Sequence, residues 1–341
     1  EVYLKVPEEE RVRRDSITKK IYNKKSFLNN GYTEPENPDI TINNYDDIGY
    51  EEASRIVVEK YLGGKTGKYV DYGRTQYWSE YYKKKVEKLK LKKDPYLNES
   101  LIEIEACKLH YQKEFKRLNK LDQKEIINNF SIEFAYNTTS LEGNTITLEE
   151  AKRFLEEGKT PANRELREIH DIKNTQEVFS WLIKEEEEIT NKFILEIHKK
   201  LLKNIDERIN YRTNDIRVFK SHFKTSPGIY VQTDIDLLLK WYNNNKNKLH
   251  PFVLASMFHH KFEKIHPFSD GNGRTGRMLM NYILMKSNYP PSVIYKKTRS
   301  EYLDALSSAD SINLTETSEK YKRLIKYLAD ETIISYWNLF L

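Results

Sequence analysis

Twelve consecutive residues concentrate the groups of this chain that could do chemistry: His266-Pro267-Phe268-Ser269-Asp270-Gly271-Asn272-Gly273-Arg274-Thr275-Gly276-Arg277. Three glycines fall between positions 271 and 276, which lets the backbone approach a ligand closely and take positive φ. The loop runs straight into the apolar stretch Met278–Met285. A glycine-rich loop opening a helix presents free N–H groups and the positive dipole end to an anion. Arg274 and Arg277 add planar donors suited to phosphate oxygens. Asp270 is a hard oxygen ligand, and one or two carboxylates plus substrate phosphates is the usual Mg²⁺ arrangement. His266 can take a proton near neutral pH. Base, metal carboxylate, anion loop and two arginines together point to phosphoryl or nucleotidyl transfer onto a protonated nucleophile. A plain glycine-rich turn is the alternative, since Gly-Asn-Gly is ordinary turn chemistry. It leaves the other groups unexplained.

Helices must position this segment. From about residue 97 apolar residues recur at helical spacing, through Leu101–Leu118 and again at Ile126, Ile127, Phe130, Ile132 and Phe134. Thr147-Leu148-Glu149-Glu150 is a capping-box signature for a helix closing at Gly158. Further helical patterns cover Arg164–Ile183, Asn191–Asn204, Asp234–Asn243, Pro251–Lys264, Arg277–Lys286, Tyr302–Ala309 and Lys320–Phe340. One interruption, Ile216–Val231 around Lys224-Thr225-Ser226-Pro227-Gly228, reads as a β-hairpin. Before residue 80 the pattern is mixed, with β-like runs at Val2–Val6, Ile17–Tyr22 and Ile40–Ile42 and a helix at Glu51–Leu62. Gly63-Gly64-Lys65-Thr66 fails as a phosphate loop because Glu59 stands where its first glycine belongs. The expected division is an α+β region at 1–95, a helical region at 96–190 and a catalytic core with C-terminal helices at 191–341. The fold class is mainly α, with a hairpin and a small mixed α/β N-terminal region.

Composition narrows the setting. The 341 residues are 38% hydrophobic and 32% charged, with 57 basic and 52 acidic side chains. A net charge of +5 permits a phosphate-bearing partner without demanding one. The basic run Tyr81–Lys93 reads as a solvated helix face, so nucleic acid is not an expected partner. The single Cys107 excludes an internal disulfide and a Cys-rich zinc site. No stretch has the roughly 18 apolar residues of a membrane helix, and Glu1–Val6 carries no apolar signal region. The expected address is cytoplasmic.

Residues 266–277 resemble the Fic signature, His-x-Phe-x-Asp/Glu-Gly-Asn-Gly-Arg-x-x-Arg, with every defining position filled. The similarity runs from about Leu101 to the C-terminus. It implies a helical bundle with a hairpin flap that moves AMP from ATP, with Mg²⁺, onto a Ser, Thr or Tyr hydroxyl of a target protein or of itself. By that resemblance His266 is the base and Asp270 holds Mg²⁺. Asn272 and the amides of Gly271 and Gly273 cradle the phosphates, Arg274 neutralises the leaving pyrophosphate, and Arg277 grips the γ-phosphate. Phe268 anchors the loop. The hairpin at 216–231 corresponds to the flap that pairs with an extended target backbone, its tip residues Lys224, Thr225 and Ser226 near the acceptor. Tyr302 sits in a segment similar to the family's adenine-pocket strip, and reads equally well as a core tyrosine. Leu303 and Asp310 stand where close relatives carry Tyr and Asn.

Upstream, Thr138-Thr139-Ser140-Leu141-Glu142-Gly143-Asn144 resembles the inhibitory motif of one branch of the family. Thr138 and Glu142 are four apart on one face of a helix of about 124–143, and Gly143 fits its stop. A glutamate there could pair bidentately with Arg277 and take the place of the γ-phosphate. On spacing alone Glu142 reads as an exposed residue at a helix end.

His259-His260, His170-Asp171 and His222 read as packing or surface residues, since adjacent histidines face different sides of a helix. Two rival activities stay open. One is AMP removal or another phosphoryl transfer on the same fold, although the family's kinases carry lysine where this chain has Gly273. The other is a nucleic-acid- or protein-binding module with a vestigial core. A homodimer is compatible with either.

Overall fold

The computed structural model describes residues 2–5, 40–43, 68–216 and 224–341. The chain divides into two units, residues 1–78 and 79–341. In the first, strand β1 (Val2–Lys5) pairs in parallel with β2 (Ile40–Asn43), Val2 opposite Ile40 and Lys5 opposite Asn43. The expected elements at 17–22 and 51–62, and the glycine stop after them, lie outside the described residues.

Helices follow in the order α1 (Lys68–Glu87), α2 (Ser100–Lys113), α3 (Lys120–Leu141), α4 (Leu148–Glu157), α5 (Leu166–Leu182) and α6 (Asn191–Leu201). After these come α7 (Val231–Asn245), α8 (Pro251–Ile265), α9 (Asn272–Lys286), α10 (Arg299–Ser307) and α11 (Lys322–Leu339). The expected caps are in place: Thr147 and Glu150 form a capping box, and Gly158 ends α4 in the left-handed conformation.

The centre is the α8–α9 pair. Phe252–Phe262 of α8 and Asn272–Leu284 of α9 are buried without a break, as expected of helices covered on every side. They are wrapped by α3, α5, α6, α7 and α11. Pro251 opens α8, where its missing N–H costs nothing, and His250 Nδ1 accepts from Phe252 N at 3.2 Å. Helix α3 buries Phe130, Phe134, Ala135 and Thr138 on one side, each Phe contributing roughly 1.5–3 kcal/mol on burial. That face fixes the rotation of α3 and so places its last residues, Leu141 and then Glu142, over the start of α9.

The expected hairpin at 216–231 is corrected in its described part. Residues 224–227 form no strand, Gly228–Tyr230 make a 3₁₀ turn, and Val231 begins α7; residues 217–223 lie outside the described set. Side chains replace a ladder here. Gly228 N donates to Asp215 Oδ1 at 2.7 Å, and Thr225 Oγ1 to Ile216 O at 3.1 Å. Val231, Ile235, Leu238, Trp241 and Tyr242 form the buried face of α7, so Val231 belongs to a helical period and not to an alternating one.

Candidate active site

Helix α8 stops because His266 takes the left-handed conformation, φ 53° and ψ 61°, which non-glycine residues seldom adopt. Arg212, buried, holds that turn. Its Nε donates to His266 O at 2.7 Å and its Nη2 to Ile265 O at 3.1 Å. The same guanidinium reaches Asn214 O at 2.8 Å and Ser226 O at 2.6 Å. One side chain therefore fixes the base and the 224–227 segment to each other. No motif marks Arg212 in the sequence.

His266 Nδ1 lies 3.2 Å from Glu263 O. A carbonyl only accepts, so Nδ1 carries the proton and Nε2 keeps its lone pair. Burial draws the imidazole below its ordinary pKa, against the pull of the Glu263 carbonyl, Glu142 and Asp270. A group with a lowered pKa stays neutral to lower pH, so a rate that needs neutral His266 should hold steady from pH 8 down to about 6.5, the ordinary imidazole value, and fall only below it. A pH–rate profile of the Glu142→Gly protein checks this. An acid limb centred at pH 7 or above would count against His266 as the base.

The loop after His266 closes on itself. Phe268 N donates to Asn272 Oδ1, and Asn272 Nδ2 donates to Phe268 O, both at 2.8 Å. The Asn272 side chain, expected at the phosphates, is thus spent on the loop. Gly271 has φ 75°, and a Cβ there would stand 2.7 Å from Leu202 Cδ2; only glycine fits both demands. The first bond of α9 runs from Thr275 N to Gly271 O at 3.0 Å, leaving the N–H groups of Asn272, Gly273 and Arg274 ahead of the ladder at the positive end of the helix. Such an arrangement favours an anion. His198 of α6 supports it from behind. Its ring lies flat on Phe268, 3.5 Å between centroids, with Nε2 3.0 Å from Asp270 O. In sequence it reads only as one core position of a helix.

Both arginines of the loop are already paired. Arg277 donates from Nε to Thr138 Oγ1 at 2.5 Å and from Nη2 to Thr138 O at 2.9 Å and Glu142 Oε1 at 2.6 Å. The contact uses one carboxylate oxygen and not two, because Thr138 claims Nε. Glu142 lies over Gly273, where a Cβ would collide with Oε1. Burial alone would raise the Glu142 carboxyl; Arg277 outweighs it and holds the group below the usual range. The Glu142 side chain keeps 44% of its surface exposed while Arg277 keeps 3%, so it is the glutamate that can leave.

Arg274 pairs through Nη1 with Asp171 of α5 and approaches Asp270 Oδ1 with Nη2 at 3.4 Å. Asp270 Oδ1 also accepts from Gly271 N at 2.6 Å, and Oδ2 meets Arg167. Burial would raise Asp270; Arg274 and Arg167 together keep it low and ionised. No group of three His, Cys, Asp or Glu forms a metal cage among the described residues. An ionised carboxylate beside a helix N-terminus nevertheless fits Mg²⁺ that arrives with the oxygens of a polyphosphate. A cleft of about 530 Å³ is lined by Glu142, Arg167, Asp171, Asp270 and Arg274, among others.

Of the remaining expected residues, Tyr302 lies beside Arg277. Tyr302 is buried, its hydroxyl 2.6 Å from His259 Nε2, as a core tyrosine would be. His259 and His260 are packing residues, the latter between Tyr321 Oη and Asp310 Oδ1 at 3.1 and 3.2 Å. Lys224, Thr225 and Ser226 line a separate cleft of about 310 Å³ with Lys264 and Leu314. His222 lies outside the described residues. Glu263, whose carboxyl burial pushes up to about 8, also stands close to Arg277. A Cβ at Gly276 would be 2.5 Å from its Oε1.

Residues 188–284 match the family model described as Fic/DOC family. Protein adenylyltransferase fic-1 of Caenorhabditis elegans is 32% identical over 183 residues, 52% of this chain and 36% of its own length. Protein adenylyltransferase Fic of Aedes aegypti is 31% identical over 243 residues, 64% of this chain and 46% of its own. The chain thus spans less than half the length of these relatives. Among solved structures, a Fic domain containing signaling protein from Bacteroides thetaiotaomicron superposes with a TM-score of 0.62 at 29% identity, covering 67% of this chain and 94% of that one. Fic-1 (residues 134–508) from Caenorhabditis elegans gives 0.57 at 25% identity, covering 84% and 81%. No described helix is long and apolar enough to cross a membrane. The helix–loop–helix that carries His266, Asp270, Arg274 and Arg277 lies within the residues that match the Fic/DOC family model.

Proposed function

We propose that this protein transfers AMP from ATP to a hydroxyl of a target protein, and that Glu142 holds it in an inhibited state. The observation that carries the proposal is the single contact between Glu142 Oε1 and Arg277 Nη2 at 2.6 Å, laid across the N-terminus of α9. With Glu142 withdrawn, Arg277 and the N–H groups at 272–274 offer donors to the phosphates. His266 Nε2 takes the proton of the incoming hydroxyl. The hydroxyl oxygen forms a bond to the α-phosphorus, and the bond from that phosphorus to the bridging oxygen breaks, so that pyrophosphate leaves toward Arg274. Asp270 would hold Mg²⁺, which supplies further neutralisation of phosphate charge when bound. The segment 224–227, joined to His266 through Arg212, would present the target backbone.

ATP labelled at either the α- or the γ-phosphate separates the candidate reactions. Incubated with purified Glu142→Gly protein and Mg²⁺ alone and read as self-labelling, the α-label is expected to enter protein and the γ-label to stay out. Entry of the γ-label would make the protein a kinase, and entry of neither would remove transfer from consideration. Names of the relatives in worm and mosquito support the α-label outcome.

A further inference from the structure

We infer that Asp171 of α5 is a positioning residue for this reaction: it shares the Arg274 guanidinium with Asp270 and keeps it at the cleft, not folded wholly onto that carboxylate. The inference rests on the AMP-transfer reading and names a residue that no part of the loop signature contains.

Arg274 is almost fully enclosed, with 3% of its side-chain surface exposed, so packing fixes its depth but not the rotation of its planar head. Two carboxylates compete for that head. Asp171 Oδ1 meets Nη1 closely, whereas Asp270 Oδ1 stands 3.4 Å from Nη2. Nε of Arg274 is buried with no partner. With Nη1 on Asp171 and Nη2 3.4 Å from Asp270, the head is held between the two carboxylates that line the cleft. Asp171 itself is held on a fixed helix, because Asn174, three residues on, donates to Leu201 O at 3.0 Å and Lys203 O at 2.6 Å at the end of α6. Arg167, one turn before Asp171, engages the other oxygen of Asp270. The four charges alternate in sign around the mouth of the cleft. Remove Asp171, and the buried cation has Asp270 as its nearest counter-charge. The guanidinium then turns onto Asp270, and both groups leave the places at which phosphate and Mg²⁺ need them.

Removing a negative charge from the cleft should not weaken ATP binding, while misplacing Arg274 should slow transfer. That split distinguishes positioning from simple loss of structure. In the Glu142→Gly background, Asp171→Ala is expected to bind Mg²⁺-ATP by calorimetry at least as tightly as its parent, yet to label itself from α-labelled ATP at least tenfold more slowly at saturating nucleotide. Asp171→Asn, which keeps an oxygen for Nη1, is expected to recover most of that rate. Unchanged labelling by Asp171→Ala, or faster labelling, would overturn the inference while leaving AMP transfer intact. So would rate and affinity falling in parallel with a lowered Tm. A Glu142→Gly parent that neither binds nor labels would sink the transfer reading, and this inference with it.

Discussion

Replacing Glu142 with glycine is expected to raise ATP-dependent protein labelling by about 100-fold, the rate change that a reacting group displaced by about 1 Å can produce. Arg277 is enclosed by the protein and cannot turn outward, so whichever anion holds it decides what it can do for a nucleotide. In this structure the anion is Glu142, 2.6 Å away, and its carboxylate covers Gly273, where the first N–H groups of α9 would meet phosphate. A triphosphate arriving here must place its terminal phosphate elsewhere, which shifts the α-phosphate from His266. Glycine removes the carboxylate and little more, because Glu142 sits at the end of α3 with φ −91° and ψ 0°, a conformation glycine takes without strain. Calorimetry with a non-hydrolysable ATP analogue and the rate of α-label incorporation should both respond. A Glu142→Gly protein no faster than its parent would show that Glu142 is only the end of a helix. Glu142→Gln offers a finer reading, since it keeps a hydrogen-bond acceptor for Arg277 and loses the charge. Labelling between parent and Glu142→Gly would place the inhibition in charge as well as in bulk.

The loop from His266 to Arg277 was legible in the sequence because all of its chemistry is contiguous. Glycines, a base, a carboxylate and arginines within one turn of chain cannot be scattered by folding. The pairing of Glu142 with Arg277 is legible through resemblance to a known motif and not through spacing, and neither signals the bonds of Arg277 to Thr138. What escaped was everything brought to the loop from another helix. Asp171, Arg167 and His198 lie on α5 and α6 in patterns that look like ordinary amphipathic helix, where His170-Asp171 reads as packing or surface. Arg212 lies in an irregular segment, where no period exists to mark it. The resemblance places Asn272 at the phosphates, yet its side-chain amide bonds the N–H and C=O of Phe268 and so serves the loop. The hairpin expected at 216–231 came from Val218, Phe219, Ile229 and Tyr230 around Pro227-Gly228. Ile229 and Tyr230 are exposed and precede a helix, so their apolar character says nothing of a strand. Short apolar runs do not separate strand from helix by period alone.

Removing the imidazole at 266 should cost between about 100- and 10,000-fold in transfer rate, the range for a positioned general base, with Mg²⁺-ATP still bound. These two outcomes can be separated because the phosphate groups do not depend on the imidazole. The N–H groups at 272–274 are presented by Gly271 and by the Phe268–Asn272 closure, and Arg274 and Arg277 are enclosed by other helices. The obvious variant carries a complication of its own. Position 266 is left-handed, and alanine in that region is strained by roughly 1–2 kcal/mol, enough to disturb the turn that feeds the loop. Asparagine tolerates this conformation and has no basic nitrogen, so His266→Asn keeps the backbone while losing the base. Both variants, made in the Glu142→Gly background, should bind Mg²⁺-ATP within a few-fold of the parent and incorporate almost no α-label. If His266→Asn labels protein at the parent's rate, the proton leaves the hydroxyl by another route and His266 is a structural turn residue. If it loses nucleotide binding instead, the imidazole supports the phosphate loop and not the chemistry.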